Sequence, residues 1–148
     1  MYKYLIALPV IAAMFSSFAY AKCEGGSKTL FSCSAKSGKQ IEVCDAGSTI
    51  SYSFGKPQSK PDIALAVPRK FASTSQYQGI GRDMTYSVDI PNGNTTYSVF
   101  FSSDKLGDHN IESGVNVSID NKPVATVNCS GGKDIVNNLE GVDLKPSE

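Results

Sequence analysis

The sequence predicts an all-β fold: a single antiparallel domain of about eight short strands, built as a small barrel or a two-sheet sandwich and stapled by disulfides. Three observations carry that expectation. Apolar and polar residues alternate with period two along most of the chain, turn-forming pairs separate the alternating runs, and four cysteines follow an export-type leader. Period two marks strands with one buried face. No run after residue 21 shows a convincing helical period.

Residues 1–21 read MYKYLIALPVIAAMFSSFAYA, with Lys3 as a positive start, an apolar run over 5–15 and Ala19-Tyr20-Ala21 as a small-x-small cleavage site. That pattern reads as a signal peptide rather than an anchor, because the apolar run falls short of the roughly 20 residues a membrane span needs. A lipid anchor is not expected either, since Lys22 precedes Cys23 where a small residue would be required. Residues 22–148 are then one β domain, with a loosely packed C-terminal tail.

Strands are expected at 29–34 and 40–44, then in five alternating runs: Ile50/Tyr52/Phe54, Ile63/Leu65/Val67, Tyr86/Val88/Ile90, Tyr97/Val99/Phe101 and Val115/Val117/Ile119. An eighth covers 124–129. Ser37-Gly38, Asn92-Gly93 and Asp120-Asn121 sit between runs and supply residues that tolerate positive φ, as tight hairpins require. The tail carries Ile135, Val136, Leu139 and Val142 to cover one end of the domain.

Fourteen basic and fourteen acidic residues in 148 leave no net charge. That balance argues against a nucleic-acid binder, which concentrates basic charge, and 41% apolar content argues against disorder. The charge is uneven along the chain: residues 54–83 hold five basic residues against two acids, whereas residues 101–148 hold eight acids against four lysines.

Cys23, Cys33, Cys44 and Cys129 show neither the close pairs of structural zinc sites nor a C-x-x-C redox motif, so structural disulfides are expected. Four cysteines allow three connectivities. In an antiparallel first hairpin the start of strand one lies beside the end of strand two, which favours Cys23 with Cys44. Cys33 and Cys129 would then tie the first strand to the last.

Chemistry is sparsely marked. The single histidine, His109, lies among Asp104, Asp108 and Glu112 in a spacing that fits a hydrated turn better than a metal site. There is no nucleophile elbow, and no pair among the fourteen acids stands out for glycoside hydrolysis. The chain is therefore expected to be no enzyme, with no cofactor and no metal.

Two loops break the strand rhythm, at 55–62 and at 68–83. The second, PRKFASTSQYQGIGRD, is too polar and Gly-rich for a core strand, and long loops in compact domains are often functional. Ser73, Ser75, Tyr77 and Arg82 bring hydroxyls, an aromatic and a cation within ten residues, the equipment of a contact loop. The competing reading makes the loop a plain crossover and puts any partner surface on the acidic turn at 104–112.

LFSC at 30–33, GKQIEVC at 38–44, YSFGKP at 52–57, NGNTTYSVF at 92–100, GVNVSIDNKPVATVNC at 114–129 and the NNLEG ending resemble a group of uncharacterised exported proteins of Gram-negative bacteria. Phe31-Ser32-Cys33 and Val127-Asn128-Cys129 also resemble, more distantly, the two ends of the periplasmic and membrane-bound lysozyme inhibitors, small eight-stranded barrels. Those inhibitors insert a Ser-Gly-x-x-Tyr type loop into the enzyme; the nearest match is Ser73-Thr74-Ser75-Gln76-Tyr77, without the Gly. The likeness implies a non-enzymatic periplasmic or secreted binding protein, an inhibitor or immunity protein against a lysozyme-like or other cell-wall hydrolase. The alternative is an envelope structural or carbohydrate-binding module, with Tyr77 stacking on a sugar. Neither nucleic acid nor a membrane anchor after signal removal is expected.

Overall fold

The structure is a computed structural model that describes residues 23–148, so the expected signal peptide lies outside the described residues. Two sheets face each other. The first contains β1 (Lys28–Ser34), β2 (Gln40–Asp45), β3 (Thr49–Gly55) and β4 (Ile63–Pro68), paired antiparallel in sequence order. The second contains β5 (Ser73–Ser75), β6 (Asp83–Asn92), β7 (Thr95–Asp104), β8 (Ile111–Ile119) and β9 (Lys122–Asn128), again paired in sequence order. Two short strands from the tail complete them: β10 (Val136–Asn137) on β1, and β11 (Lys145–Pro146) parallel to β5.

All eight expected strands are present, and the sandwich, not the barrel, is the architecture. The reason lies at the edge of β1. A barrel would have to zip β9 along that edge, but β10 occupies it opposite Phe31 and Ser32. Contact between β1 and β9 shrinks to a bridge between Ala35 and Cys129 and the bond from Ser130 N–H to the Ser34 carbonyl, 2.7 Å.

Alternation explains the core. Phe31, Ile41, Val43, Ile50 and Tyr52 point inward from the first sheet, and Val88, Ile90, Val99 and Val115 from the second, all fully or nearly fully buried. Each such side chain contributes about 1.5–3 kcal/mol on burial. The disulfides Cys23–Cys44 and Cys33–Cys129 join the expected pairs. The second links the two sheets directly. Two disulfides point to an oxidising, extracytoplasmic environment, and among the described residues no helix is long and apolar enough to cross a membrane.

Turn chemistry follows the hairpins. Asp120 and Asn121 both have positive φ, as a two-residue type I′ loop demands. The preceding hairpin differs from expectation by one residue: Asn92 pairs with Thr95, so the loop is Gly93-Asn94. Gly93, at φ 62°, holds the first central position, where only that one residue needs the left-handed region.

The tail is not loosely packed. Leu139 is fully buried in the core, and the Gln76 amide holds the backbone on either side of it, donating to the Leu139 carbonyl at 2.9 Å and accepting from Gly141 N–H at 2.8 Å. Arg69, in a three-residue 3-10 turn at 69–71, spends its guanidinium on the Asp45 carboxylate and on the carbonyls of Gly47 and Asp143. It pins the corner between sheets to the tail.

Candidate functional site

The crossover at 68–83 is not one loop. Its first part is the 3-10 turn and then β5, where Thr74 is buried and its hydroxyl donates to the Ser87 carbonyl at 2.6 Å. Ser73 and Ser75 therefore stand on a strand, opposite Asp89 and Ser87 of β6. The Ser73 hydroxyl lies 3.1 Å from the Ser147 hydroxyl, whose proton goes to the Asp89 carboxylate. These two serines belong to the sheet, not to a loop tip; alternation over three residues is too short to reveal that in sequence.

The loop proper is 76–82, with Gln76 and Tyr77 half-buried and 78–82 exposed. Antiparallel pairing of β5 with β6 carries them to the end of the sheet where β6 starts, which is also where β7 ends, because Asp83 pairs with Asp104. The turn between β7 and β8 emerges at the same end. The two segments treated as rival surfaces in the sequence, the polar loop and the acidic turn, thus form one surface.

Three interactions clamp them. Arg82 forks onto Asp104, Nε to Oδ1 at 2.9 Å and an Nη to Oδ2 at 2.6 Å. Lys105 N–H donates to the Arg82 carbonyl at 3.0 Å. The Lys105 ammonium donates to the Tyr77 hydroxyl at 2.7 Å, and that hydroxyl donates to the Gly81 carbonyl at 3.2 Å. A parallel fork fixes orientation as well as distance.

Asp104 also organises its own turn. Its Oδ1 accepts from the N–H groups of Leu106 and Gly107 at 2.9 and 3.2 Å, and its carbonyl contacts His109 Nδ1 at 3.1 Å. The Arg82 hydrogen bond, with the two backbone N–H groups, holds the Asp104 carboxyl well below the usual carboxylate range. A Cβ at position 107 would stand 2.5 Å from Asp104 Oδ2 and 2.6 Å from Arg82 Nη2, so a larger residue there would have to push the fork aside.

Lys105 does not lie over the face of the half-buried Tyr77 ring. Its ammonium lies 4.9 Å from the ring centroid but only 2.7 Å from the hydroxyl. That difference puts the cation beyond the hydroxyl end of the ring, in hydrogen-bonding and not cation–π position, which requires a place over the face.

Two apolar side chains crown the clamped loops: Ile80 is 86% exposed and Leu106 79%. Isolated exposed apolar residues are ordinary, but these sit on two adjacent loops whose backbones are tied together. Ile80, Lys105 and Leu106 were not singled out in the sequence. The available signal was an apolar residue beside glycine in each loop, Gly79-Ile80-Gly81 and Leu106-Gly107.

No family model, curated protein or solved structure matches the chain. Its own residues carry the chemistry. His109 and Asp104 are engaged with the turn, so the carboxylate–imidazole grouping at 104–112 serves its geometry. Among the described residues the metal-type donors that cluster within 4.8 Å are Cys23, Glu42 and Cys44, and the two sulfurs there are bonded to each other.

Proposed function

We propose that this protein is a non-enzymatic periplasmic or secreted binding protein whose contact surface is the clamped pair of loops at 76–82 and 105–110, and that it blocks a cell-wall hydrolase. The observation that carries this reading is the clamp itself. Two loops are ordered before any partner arrives, and they present Ile80 and Leu106 beside the half-buried Tyr77 ring. Ordering in advance removes much of the entropy cost of binding. A hydrolase cleft that holds glycan offers apolar floors and carboxylates; Ile80 and Leu106 match the first and the Lys105 ammonium the second. Arg82 positions the loops, since its charge is already met by Asp104.

Incubation with a panel of lysozymes, and separately with peptidoglycan, tests the reading. Inhibition of at least one hydrolase is expected. Release of wall fragments by the protein itself would make it an enzyme, and sedimentation with the wall without inhibition would favour the envelope or carbohydrate-binding alternative. Against an inhibited enzyme, Tyr77→Ala and Ile80→Asp should each weaken binding tenfold or more with an unchanged melting temperature. Unchanged affinity in both would remove the loops from the mechanism.

A further inference from the structure

The outer face of the six-stranded sheet carries a second arrangement. With Val88, Ile90, Val99 and Val115 pointing into the core, alternation turns Thr85, Asp89 and Pro91 of β6 outward, and Thr96, Ser98, Phe100 and Ser102 of β7; Ser87 lies on the same side but is itself buried. The pairing places them in rungs: Pro91 beside Thr96, Asp89 beside Ser98, Ser87 beside Phe100, Thr85 beside Ser102. Phe100 is flanked on its other side by Gly114, so its neighbours in the rung are a serine and a residue with no side chain. It is only partly buried and lies outside the core cluster.

Each end of this stripe opens into a concavity. At one end a cleft of about 270 Å³ is lined by Phe71, Asp89, Pro91 and Thr96, and by Asn121 and Lys145. At the other, one of about 190 Å³ is lined by Asp83, Ser102, Asp104, Asn110 and Glu112. Phe100 stands between them. From Asp83 to Pro91 the stripe runs roughly 27 Å at the usual rise of about 3.4 Å per residue.

We infer that this stripe binds an extended, uncharged polysaccharide chain along the direction of β6 and β7, with one sugar stacked on Phe100. Sugars offer an apolar C–H face to a ring and a girdle of hydroxyls to donors and acceptors beside it, which is the composition of the rungs. Thr85 and Ser102 already share a hydrogen bond at 2.8 Å, and the Asp89 carboxylate accepts from Ser98 and Ser147, so the acceptors are held in place. Charge decides against other long ligands. The stripe bears Asp83, Asp89 and Glu112, while Arg82 is consumed by Asp104 and Lys145 lies at the margin, so polyanions such as nucleic acids are repelled. A protein partner would need an apolar patch, and Phe100 is alone in the centre. The inference does not rest on the loop reading: its platform is Phe100 of β7, although the cleft at one end of the stripe is shared with the clamp residue Asp104 and with Asn110.

The test is calorimetry and saturation-transfer NMR on the disulfide-bonded chain with hexasaccharides of β-1,4-linked glucose and of β-1,4-linked N-acetylglucosamine, and with the matching disaccharides. Binding of at least one hexasaccharide is expected, tenfold or more tighter than its disaccharide. Phe100→Ala should reduce it tenfold or more, and Asp89→Asn should reduce it measurably, whereas Ile80→Asp should leave it unchanged. If Phe100→Ala does not fold, Asp89→Asn decides. No binding of either hexasaccharide, no dependence on length, or insensitivity to both substitutions would overturn the inference. Binding of a lysine-rich peptide in their place would give the face to a cationic ligand and overturn it as well.

Discussion

Tyr52 of β3 and Tyr97 of β7 stack across the two sheets, with ring centroids 4.9 Å apart and planes 26° from parallel. Tyr52 is nearly fully buried, and burial, reinforced by Tyr97, pushes its phenol well above the ordinary tyrosine range. A raised folded value means stability that is fully present below the unfolded value of about 10 and lost as pH climbs toward the folded one. Alkaline titration should therefore show Tyr52 ionising late and together with unfolding, read by tyrosinate absorbance against circular dichroism. Tyr52→Ala should cost about 3–5 kcal/mol, as for other buried aromatics; a loss below about 1 kcal/mol would mean that the stack is not part of the core.

Leu139 tests the docking of the tail. Leu139→Ala should cost about 2–5 kcal/mol in denaturant unfolding, although the residue lies beyond the last long strand. Gln76→Ala should act in the same direction, since it frees the Leu139 carbonyl and the Gly141 N–H together. A wild-type midpoint in both variants would return the tail to the loosely packed state expected from sequence.

The two disulfides should differ in worth. Cys33–Cys129 spans 96 residues and Cys23–Cys44 spans 21. Loop entropy gives about 4–5 kcal/mol for the first and about 3 kcal/mol for the second. Paired Cys→Ser variants compared by chemical denaturation should show the larger loss at Cys33/Cys129. The reverse order would place the main effect in native packing around Cys23.

The loop clamp has a pH window of its own. Because the Asp104 carboxyl is depressed, first by Arg82 and then by the Leu106 and Gly107 N–H groups, its contribution is present above the unfolded value of about 3.9 and fades as pH falls through the folded value. Amide exchange at Leu106 and Gly107 should stay protected at pH 5. Asp104→Asn should speed it several-fold there with little change in global stability, since an exposed pair carries little of the fold. Equal protection in the variant would show that the turn holds without the charge.

Five of the eight long strands were legible because period two is a local signal repeated over five residues, and the cysteine pairs because hairpin adjacency follows from strand order. The short strands β5, β10 and β11 were not, since two or three residues hold no period and owe their form to the edges they cover. Leu139 looks the same in sequence as the exposed Leu106; only the site each meets after folding separates them. Of the candidate site, Ser73 and Ser75 lie on β5 and only Tyr77 and Arg82 on the loop, and the partnership of Arg82 with Asp104 depends on a pairing 22 residues apart.

The bond between Cys33 and Cys129 encloses the long exposed loop at 55–62, the projecting loop at 76–82 and every hairpin of the second sheet. Exposed loop tips are where proteases cut. A single cut at any of these loops would leave two fragments still joined through the sulfurs and still held by the ladders around them. On gels a nicked chain would migrate whole without reductant and as two pieces with it. In a compartment with proteases outside the reach of chaperones, the same bond turns a cleavage that would destroy most small domains into a scar the molecule can carry.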